Sequence, residues 1–585
     1  MSSNKEVSRL FDQMAAGLEI LGANRFRVNA YSRASRVVED LAEDVRAVVE
    51  QDPATAIKRL TTFDGIGKGM AEKIVEVVET GEMGEHRELL EQLPATVFEL
   101  LEIPGIGPKA AKAMWETLGI ASVADLKAAS DEDLTGIPRM GKKTVANIRK
   151  AIAFNEESGD RVPIGLAEPL ALEIQAELRA LDGVRRAEYA GSLRRGRETI
   201  GDLDFLVACD DADLVRDTFT SMPRVTQILA KGETKSSVRV KTGGVVMQVD
   251  LRIVPEDVYG AALMYFTGSK EHNVRLREAA IKQGKRLNEY GLFLGNDERP
   301  QDSGAQPLAA REEQDIYADL GLPWIAPELR EDRGELERGD APLIVLEDIK
   351  AELHAHTTAS DGRLSIVELA EEAKRRGFHT IAVTDHSKSQ PIANGLSVER
   401  MERHIDAVRE ADAQVDGIKI LVGSEVDILA DGSLDYDDEL LARLDIVVAS
   451  PHAALSQDPA TATERLLKAI RHPLVHIIGH PTGRIVNKRA GLSPDLKALI
   501  EAAVEHDTAL ELNANWHRLD LRDTHLKAAL DAGCKIAIDT DAHDTGHFDF
   551  LRYGIATARR AGMGPESCIN TWEAERLHGW LQSKR

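Results

Sequence analysis

Cysteine is scarce in this chain: Cys209, Cys534 and Cys568 are its three, far apart and without a CxxC pair. That excludes a disulfide framework and a thiolate metal site, and it fits a reducing cytoplasm. Long apolar runs are missing as well. Nowhere do about 18 apolar residues follow one another, and the opening MSSNKEVSRLFDQMAAGLEIL is charged and amphipathic rather than a basic start with an apolar stretch behind it. No membrane or export role is expected. Basic residues are outnumbered, 73 Lys and Arg against 98 Asp and Glu, and the formal charge of −25 argues on its own against a nucleic-acid binder. Histidine is nearly absent from the first 353 of the 585 residues, a length that allows about four domains.

Fifteen of the seventeen histidines lie beyond position 353, and most stand with carboxylates just past the ends of short apolar runs. ELHAH ends in His354 and His356 with Asp361 soon after, TIAVTDH in Asp385 and His386, and IKILVGSE in Glu425. DIVVASPH ends in His452, VHIIGHP carries His480, ALELN ends in Asn513, and KIAIDTDAH bears Asp541 and His543. Strand-then-helix units that each deliver a polar residue at the strand's C-terminal end are how an α/β barrel builds an active site.

Imidazole with carboxylate, and no thiolate nearby, suits Zn²⁺, Mn²⁺ or Fe²⁺. Alternate residues of a strand share a face, so His354 and His356 can grip one ion together. The nine candidate ligands, His354, His356, Asp361, His386, Glu425, His452, His480, Asp541 and His543, exceed what one ion needs. Two or three ions sharing a bridging Glu425 would use them and leave positions for a water and a phosphate ester. His379, His404, His472, His476, His506, His517, His525, His547 and His578 fall in predicted helices, loops or off-pattern positions and read as ordinary surface or core residues.

From HAHTTASDG through TDH, GSE, SPH and GHP to DAH, about residues 350 to 570, the chain resembles the polymerase and histidinol phosphatase (PHP) family. The resemblance implies a distorted seven-stranded barrel, a trinuclear site and phosphoesterase activity. It implies one ion on His354, His356, Glu425 and Asp541, a second on Glu425, His452 and His480, and a third on Asp361, His386 and His543.

The first half carries three short repeats, FDGIGKGMAEKI, IPGIGPKAAKAM and TGIPRMGKKTVANI. Each has an apolar residue, a tight turn, then lysine and a helix. Gly65, Gly67, Gly105 and Gly107 allow turns whose backbone N–H groups point outward at a helix start, beside Lys68 and Lys109, with Lys142 and Lys143 in the third repeat. Such contacts hold a phosphate backbone without reading bases. The repeats resemble helix-hairpin-helix motifs. The third has Arg139 where the first turn glycine normally stands, and a purely structural repeat is its competing reading.

GSLRRGRETIGDLDFLVAC places Asp202 and Asp204 one residue apart in a strand, so both carboxylates face the same way. VVMQVDLRIV is a second strand with Asp250 at its middle. Three carboxylates on adjacent strands can hold two Mg²⁺ ions. Gly191 and Ser192 form a turn with Arg194, Arg195 and Arg197 behind it, in outline a triphosphate clamp. GS followed by DxD resembles the nucleotidyltransferase superfamily. With NAYSRASRVV, YFTGSKEHNVRLR and NEYGLF in order, residues 1 to about 322 resemble family X DNA polymerases, and the whole chain resembles bacterial and archaeal members with a fused PHP domain.

That resemblance implies that Asp202, Asp204 and Asp250 hold Mg²⁺ or Mn²⁺ and that Asp250 takes up the proton of the primer 3′ hydroxyl. Ser192 and Arg195 would contact the β and γ phosphates of a dNTP. Tyr265, Phe266 and Gly268 would line the sugar pocket and disfavour a ribose, and Asn273 and Arg277 would approach the minor groove. Gln248 and Lys270 depart from the vertebrate pattern, an arginine and an aspartate respectively. Lys73 matches the Schiff-base lysine of lyase-competent relatives, but Gly69 replaces a supporting lysine and Phe26 a phosphate-binding histidine, which leaves lyase activity open. Tyr31 is expected to pack in a core.

The expected architecture is multidomain α/β. A small helical DNA-end-binding domain covers 1–80, helical fingers 81–160, a mixed-sheet nucleotidyltransferase palm 161–255, a thumb 256–322, an acidic Pro- and Gly-punctuated linker 323–349, and a distorted (β/α)7 PHP barrel 350–585. Basic clusters at 185–197, 231–241 and 270–286 would offset the acidity along a DNA path. The expected partners are gapped or nicked DNA and dNTPs, with no membrane, and the expected state is a cytoplasmic monomer. The competing function is a small-molecule phosphoesterase of histidinol phosphatase type fused to a noncatalytic DNA-binding module; a noncatalytic DNA-binding scaffold is a third.

Overall fold

The computed structural model describes residues 3–41, 44–63, 65–101, 103, 106–137, 140–142, 144–146, 148–149, 152, 161–242, 245–295, 297, 299–339 and 341–584. It divides into two compact units, residues 1–160 and 161–585. No helix among the described residues is long and apolar enough to cross a membrane.

The first unit is helical. Its longest helices, Ser3–Ile20 and Arg25–Asp40, place Val7, Phe11 and Met14 against Tyr31, Ala34 and Val38 at the three- and four-residue spacing of one helix face. One apolar cluster runs from Val7 to Ile152 and spans the segments on both sides of residue 80. Two turns open helices in the same way. Gly67 caps Lys68–Thr80 and Gly107 caps Pro108–Leu118, the latter with proline at the first helical position, where no N–H is needed.

The second unit begins with a five-stranded sheet in the order Val184–Tyr189, Asp202–Cys209, Val245–Ile253, Lys235–Thr242, Val225–Lys231. Only the Asp202–Cys209 and Val245–Ile253 pair is parallel, so the sheet is mixed. Strand alternation sorts its side chains. Leu203, Phe205 and Val207 enter the core under helix Ile164–Arg179, while Leu206 and Ala208 pack against Tyr259, Ala262 and Leu263 on the opposite face. Asp202 and Asp204 share the parity of that second face and so stand on the side of helix Tyr259–Thr267. A separate cluster, from Met264 and Leu276 to Tyr317 and Ile325, forms the next domain's core.

The stretch expected to be a linker, 323–349, is instead packed. Ile325, Arg330, Ile344 and Ile349 are buried, and Arg330 pairs with Glu313 at 2.8 Å. Part of its polarity, at Arg330 and Glu335, is that of buried ion-pair partners, which composition does not separate from a solvated chain.

Seven parallel strands follow in chain order, Ala351–Ala355, Thr380–Val383, Lys419–Asp427, Ile446–Ser450, Ile477–Ile478, Ala509–Asn513 and Ile536–Asp539. The ring is closed by a parallel bridge between Ala355 and Ala542. All but Lys419 are buried, as parallel strands covered on both faces require. The barrel is fused to the five-stranded sheet through apolar contacts. Leu519 and Tyr553 belong to that sheet's core, and the Trp516 ring lies so close to Gly165 that a Cβ there would come within 2.1 Å.

Candidate active sites

All nine expected barrel ligands converge at the C-terminal ends of the strands. Glu425 is fully buried at the centre. His354 Nε2, His452 Nε2 and His480 Nε2 lie 3.4, 3.2 and 2.8 Å from its Oε1, and His356 Nε2 and His386 Nδ1 lie 3.7 and 2.8 Å from its Oε2. Asp541 faces His356 at 3.0 Å and His354 at 3.7 Å, and Asp361 faces His543 at 3.3 Å and His386 at 3.6 Å. Three overlapping groups could each hold an ion: His356, Asp361, His386 and His543; His354, His356 and Asp541; His386, Glu425 and His452. His356 and His386 each serve two groups, a more shared arrangement than the sets implied by the family pattern, and His480 reaches the centre through Glu425.

The donors fit divalent ions. Although buried and in places within ion-pair distance of one another, His354 Nε2, both ring nitrogens of His356, Glu425 Oε2, His480 Nδ1 and Asp541 Oδ1 make no well-aligned hydrogen bond, a costly state that an ion relieves. The electrostatics agree. Burial pulls the His356 imidazole down to about 4, helped by His543 and His386. Burial opposes protonation of His452 as well, but the Glu425 and Asp427 carboxylates outweigh it and push that imidazole up to about 10. Glu425 stays ionised against its burial because His452, His354 and His386 surround it.

A further layer orients these ligands. Glu511 meets His354 Nδ1 at 2.6 Å, Asp427 meets His452 Nδ1 at 2.8 Å, and the Asp541 carbonyl meets His543 Nδ1 at 2.7 Å. Asp385 accepts from Thr357 and Ser360 and pairs with His404 at 2.8 Å. His404, read as an ordinary residue, thus supports the ligand-bearing loop. Glu511 and Asp427 escape sequence reasoning too. Their signal is a carboxylate inside an apolar strand, as in ALELN, where solvent cannot satisfy it.

In the sheet site, Asp204 stands directly across from Asp250 in the parallel register, and Asp202 across from Gln248. Burial, with Asp202 and Asp250 beside it, pushes the Asp204 carboxyl up to about 7. Lys235 Nζ lies 2.6 Å from Asp250 Oδ2, and Gln248 donates to Asp250 Oδ1 at 3.0 Å. Gly191 has φ +60°, and a Cβ there would approach Asp204 Oδ2 to 2.4 Å, so only glycine lets the GS turn close over the aspartates. Ser192 Oγ is out of solvent without a hydrogen-bond partner. Arg195 donates to the Thr267 carbonyl at 2.6 Å and to Glu331 at 3.0 Å. Gly268 abuts it, and Tyr265 and Phe266 stack edge to face beside it in the chain. Asn273 donates to the Tyr265 carbonyl at 2.7 Å and Arg277 to the Asn273 carbonyl at 3.2 Å.

The DNA polymerase beta palm matches residues 161–243 and the DNA polymerase beta thumb 262–331; a helix-hairpin-helix domain matches 2–83, a SAM-like helix-hairpin-helix tandem 97–153, and the PHP domain 352–515. The DNA polymerase/3′-5′ exonuclease PolX of Bacillus subtilis (strain 168) is 36% identical over 581 residues, 99% of each chain. This chain belongs to the family X DNA polymerases with a PHP domain. DNA polymerase lambda of Arabidopsis thaliana is 27% identical over 351 residues, 56% of this chain and 62% of that one. A probable phosphatase of Caldanaerobacter subterraneus subsp. tengcongensis is 31% identical over 246 residues, 40% of this chain and 91% of that one.

In this family X polymerase the helical unit holds Lys73 in an ion pair with Glu85 at 3.0 Å. Arg27 donates to the same carboxylate at 2.9 Å, and the buried Tyr31 hydroxyl donates to it as well. Phe26 projects 85% exposed at the same helix start. Lys68 and Lys109 are exposed beside Gly67 and Gly107, which have open space above them, and Gly65 takes φ +98°. Gly105, Arg139 and Lys143 lie outside the described residues. The basic cluster 185–197 is largely spent within the polymerase's own fold: Arg185 pairs with Asp210 and Glu256, Arg186 with Glu312, Arg194 with Glu313 and Arg195 with Glu331. Sequence clustering counts charge but not the carboxylates that the fold brings opposite it.

Proposed function

We propose that this enzyme is a DNA-directed DNA polymerase that fills short gaps during repair, and that its barrel trims 3′ ends of the same DNA as a 3′-5′ exonuclease, 3′ phosphatase or abasic endonuclease. The observation that carries the reading is the pairing of Asp204 with Asp250 beneath the GS turn, in one compact unit with nine converging metal ligands.

Asp202, Asp204 and Asp250 would hold Mg²⁺ or Mn²⁺, which would supply charge neutralisation at the phosphates and a lower cost of ionising the 3′ hydroxyl. Asp250, buried and hydrogen-bonded, takes the hydroxyl proton at its carboxylate oxygen. Ser192 Oγ and the Arg195 guanidinium bind the β and γ phosphates, and Tyr265, Phe266 and Gly268 exclude a 2′ hydroxyl. Asn273 and Arg277 face the nascent pair. Catalysis of this type is positioning and charge neutralisation.

In the barrel, two or three Zn²⁺, Mn²⁺ or Fe²⁺ ions would supply an activated water and Lewis acidity at a terminal phosphate. The nine side chains bind them, and Glu511 and Asp427 fix the rings of His354 and His452. Gly65, Gly67, Lys68, Gly105, Gly107 and Lys109 would hold the DNA backbone. Lys73 would form a Schiff base only after release from Glu85. A cytoplasmic monomer acting on gapped or nicked DNA with dNTPs completes the reading.

Incorporation of one dNTP into gapped DNA with Mg²⁺, compared between wild type and Asp250→Ala, tests the polymerase. Equal extension by both proteins sinks it. His354→Ala is expected to abolish Mn²⁺-dependent 3′ resection and to spare synthesis. A phosphoesterase with an inert first half, the alternative, would extend nothing, and the intact aspartate triad disfavours it.

A further inference from the structure

The short helix Gly191–Arg194 ends on Arg195, and that residue is gripped from the barrel. Arg560, the last residue of barrel helix Leu551–Arg560, donates through Nη1 to the Arg195 carbonyl at 2.7 Å and to Glu331 Oε1 at 2.9 Å. Its Nε and Nη2 lie 3.0 and 2.9 Å from Asp523 of the barrel. The same helix presses on the turn at Gly196, where a Cβ would meet Ala556 at 3.1 Å. Glu331 thus takes charge from three arginines, with Arg195 at 3.0 Å, Arg197 at 3.6 Å and Arg560 at 2.9 Å.

Arg195 therefore has two claimants. One is the triphosphate that the proposed function assigns to it, and the other is Glu331. A buried carboxylate distributes its attraction among the cations around it, so each cation added elsewhere loosens its hold on the rest. The geometry points to Arg560 as a positioning residue for nucleotidyl transfer: by fixing the Arg195 backbone and taking up Glu331, the barrel sets how readily the polymerase binds an incoming dNTP. This rests on the assignment of Arg195 to the triphosphate. It gives the barrel a second role, independent of its own metal centre, and it explains why Glu331, Asp523, Arg195 and Arg560 are withdrawn from solvent where apolar contacts would hold the domains together as well.

The test is single-nucleotide gap filling across a dNTP titration with the full-length holoenzyme. Arg560→Met leaves Glu331 to Arg195 and Arg197 and is expected to raise KM for dNTP about tenfold, with a smaller change in kcat. Glu331→Gln removes the competitor and is expected to lower KM. The double variant Arg560→Met with Glu331→Gln is expected to return towards the wild-type KM. A merely structural contact would move both single variants the same way and the double variant further still. Same-sign shifts, an unchanged KM in Glu331→Gln, or a double variant no better than Arg560→Met overturns the proposal. Resection by Arg560→Met reports whether the barrel still folds, and Glu331→Gln decides the matter if it does not. Asp250→Ala serves as the separate control: extension by that variant would sink the polymerase reading itself, whereas its inactivity with unmoved KM values sinks only the role of Arg560.

Discussion

His354 Nδ1 lies 2.6 Å from a carboxylate oxygen of Glu511, and neither side chain reaches solvent. With an ion on Nε2, the proton sits on Nδ1 and Glu511 accepts it, which fixes the tautomer and aims Nε2 at Glu425 and Asp541. Glu511→Gln is expected to weaken metal binding at the barrel by about 10- to 100-fold while leaving gap filling intact. Metal content after dialysis against a competing chelator measures this directly, and full retention of metal would refute it.

Metal loading should also release protons. In the ion-free protein, burial disfavours the charged form of His543, but the Asp361 and Asp541 carboxylates outweigh it and push the imidazole up to about 9; His452 is pushed up to about 10. Both raised values stabilise the ion-free fold below the ordinary histidine value near 6.5, and that stabilisation is lost as pH rises through 9 to 10. Ions compete with these protons, so affinity should climb with pH across the same window. Calorimetry in buffers of different ionisation enthalpy counts the protons released, and a value of zero at pH 7.5 would contradict the charge arrangement.

Glu313 is the only carboxylate among the described residues that bonds both Arg194 and Arg330, each at 2.8 Å. Glu313→Gln leaves the buried Arg330 guanidinium and the half-buried one of Arg194 short of a counter-charge. We expect a loss of about 3–5 kcal/mol in the stability of residues 161–585, seen as a lower midpoint in thermal or denaturant unfolding.

Gly165 is the place where the Trp516 ring meets the palm. A methyl group 2.1 Å from that ring cannot be absorbed by a small side-chain shift, so Gly165→Ala should cost about 1–3 kcal/mol. It should also open the 514–522 loop to protease. Trp516→Ala in the same chain makes room and is expected to cancel most of the effect of Gly165→Ala, which a double-mutant cycle reads.

The first ring of barrel residues is legible in the sequence because histidines and carboxylates recur at the ends of successive short apolar runs. The aspartate triad is legible because DLD and QVDLR put carboxylates at strand positions of one parity. Glu511, Asp427 and His404 are not, since their importance lies in which buried atom they meet. Arg560 and Glu331 are further still from view. They are separated by 229 residues, and each looks like ordinary surface charge until folding removes the water. The packed 323–349 stretch was hidden for the same reason: Arg330 and Glu335 read as solvated, yet both are buried.

Trp516 and Leu519 anchor the barrel in the core of the neighbouring sheet, so the spacing between the two carboxylate centres is held fixed. If the duplex stays seated on the polymerase, a strand terminus that passes from one centre to the other has to leave its template. The choice between adding a nucleotide and removing one then becomes a race between fraying of the last base pair and the next incorporation. A mismatched end frays at less cost, so the double helix itself, more than any hinge in the enzyme, reports the error.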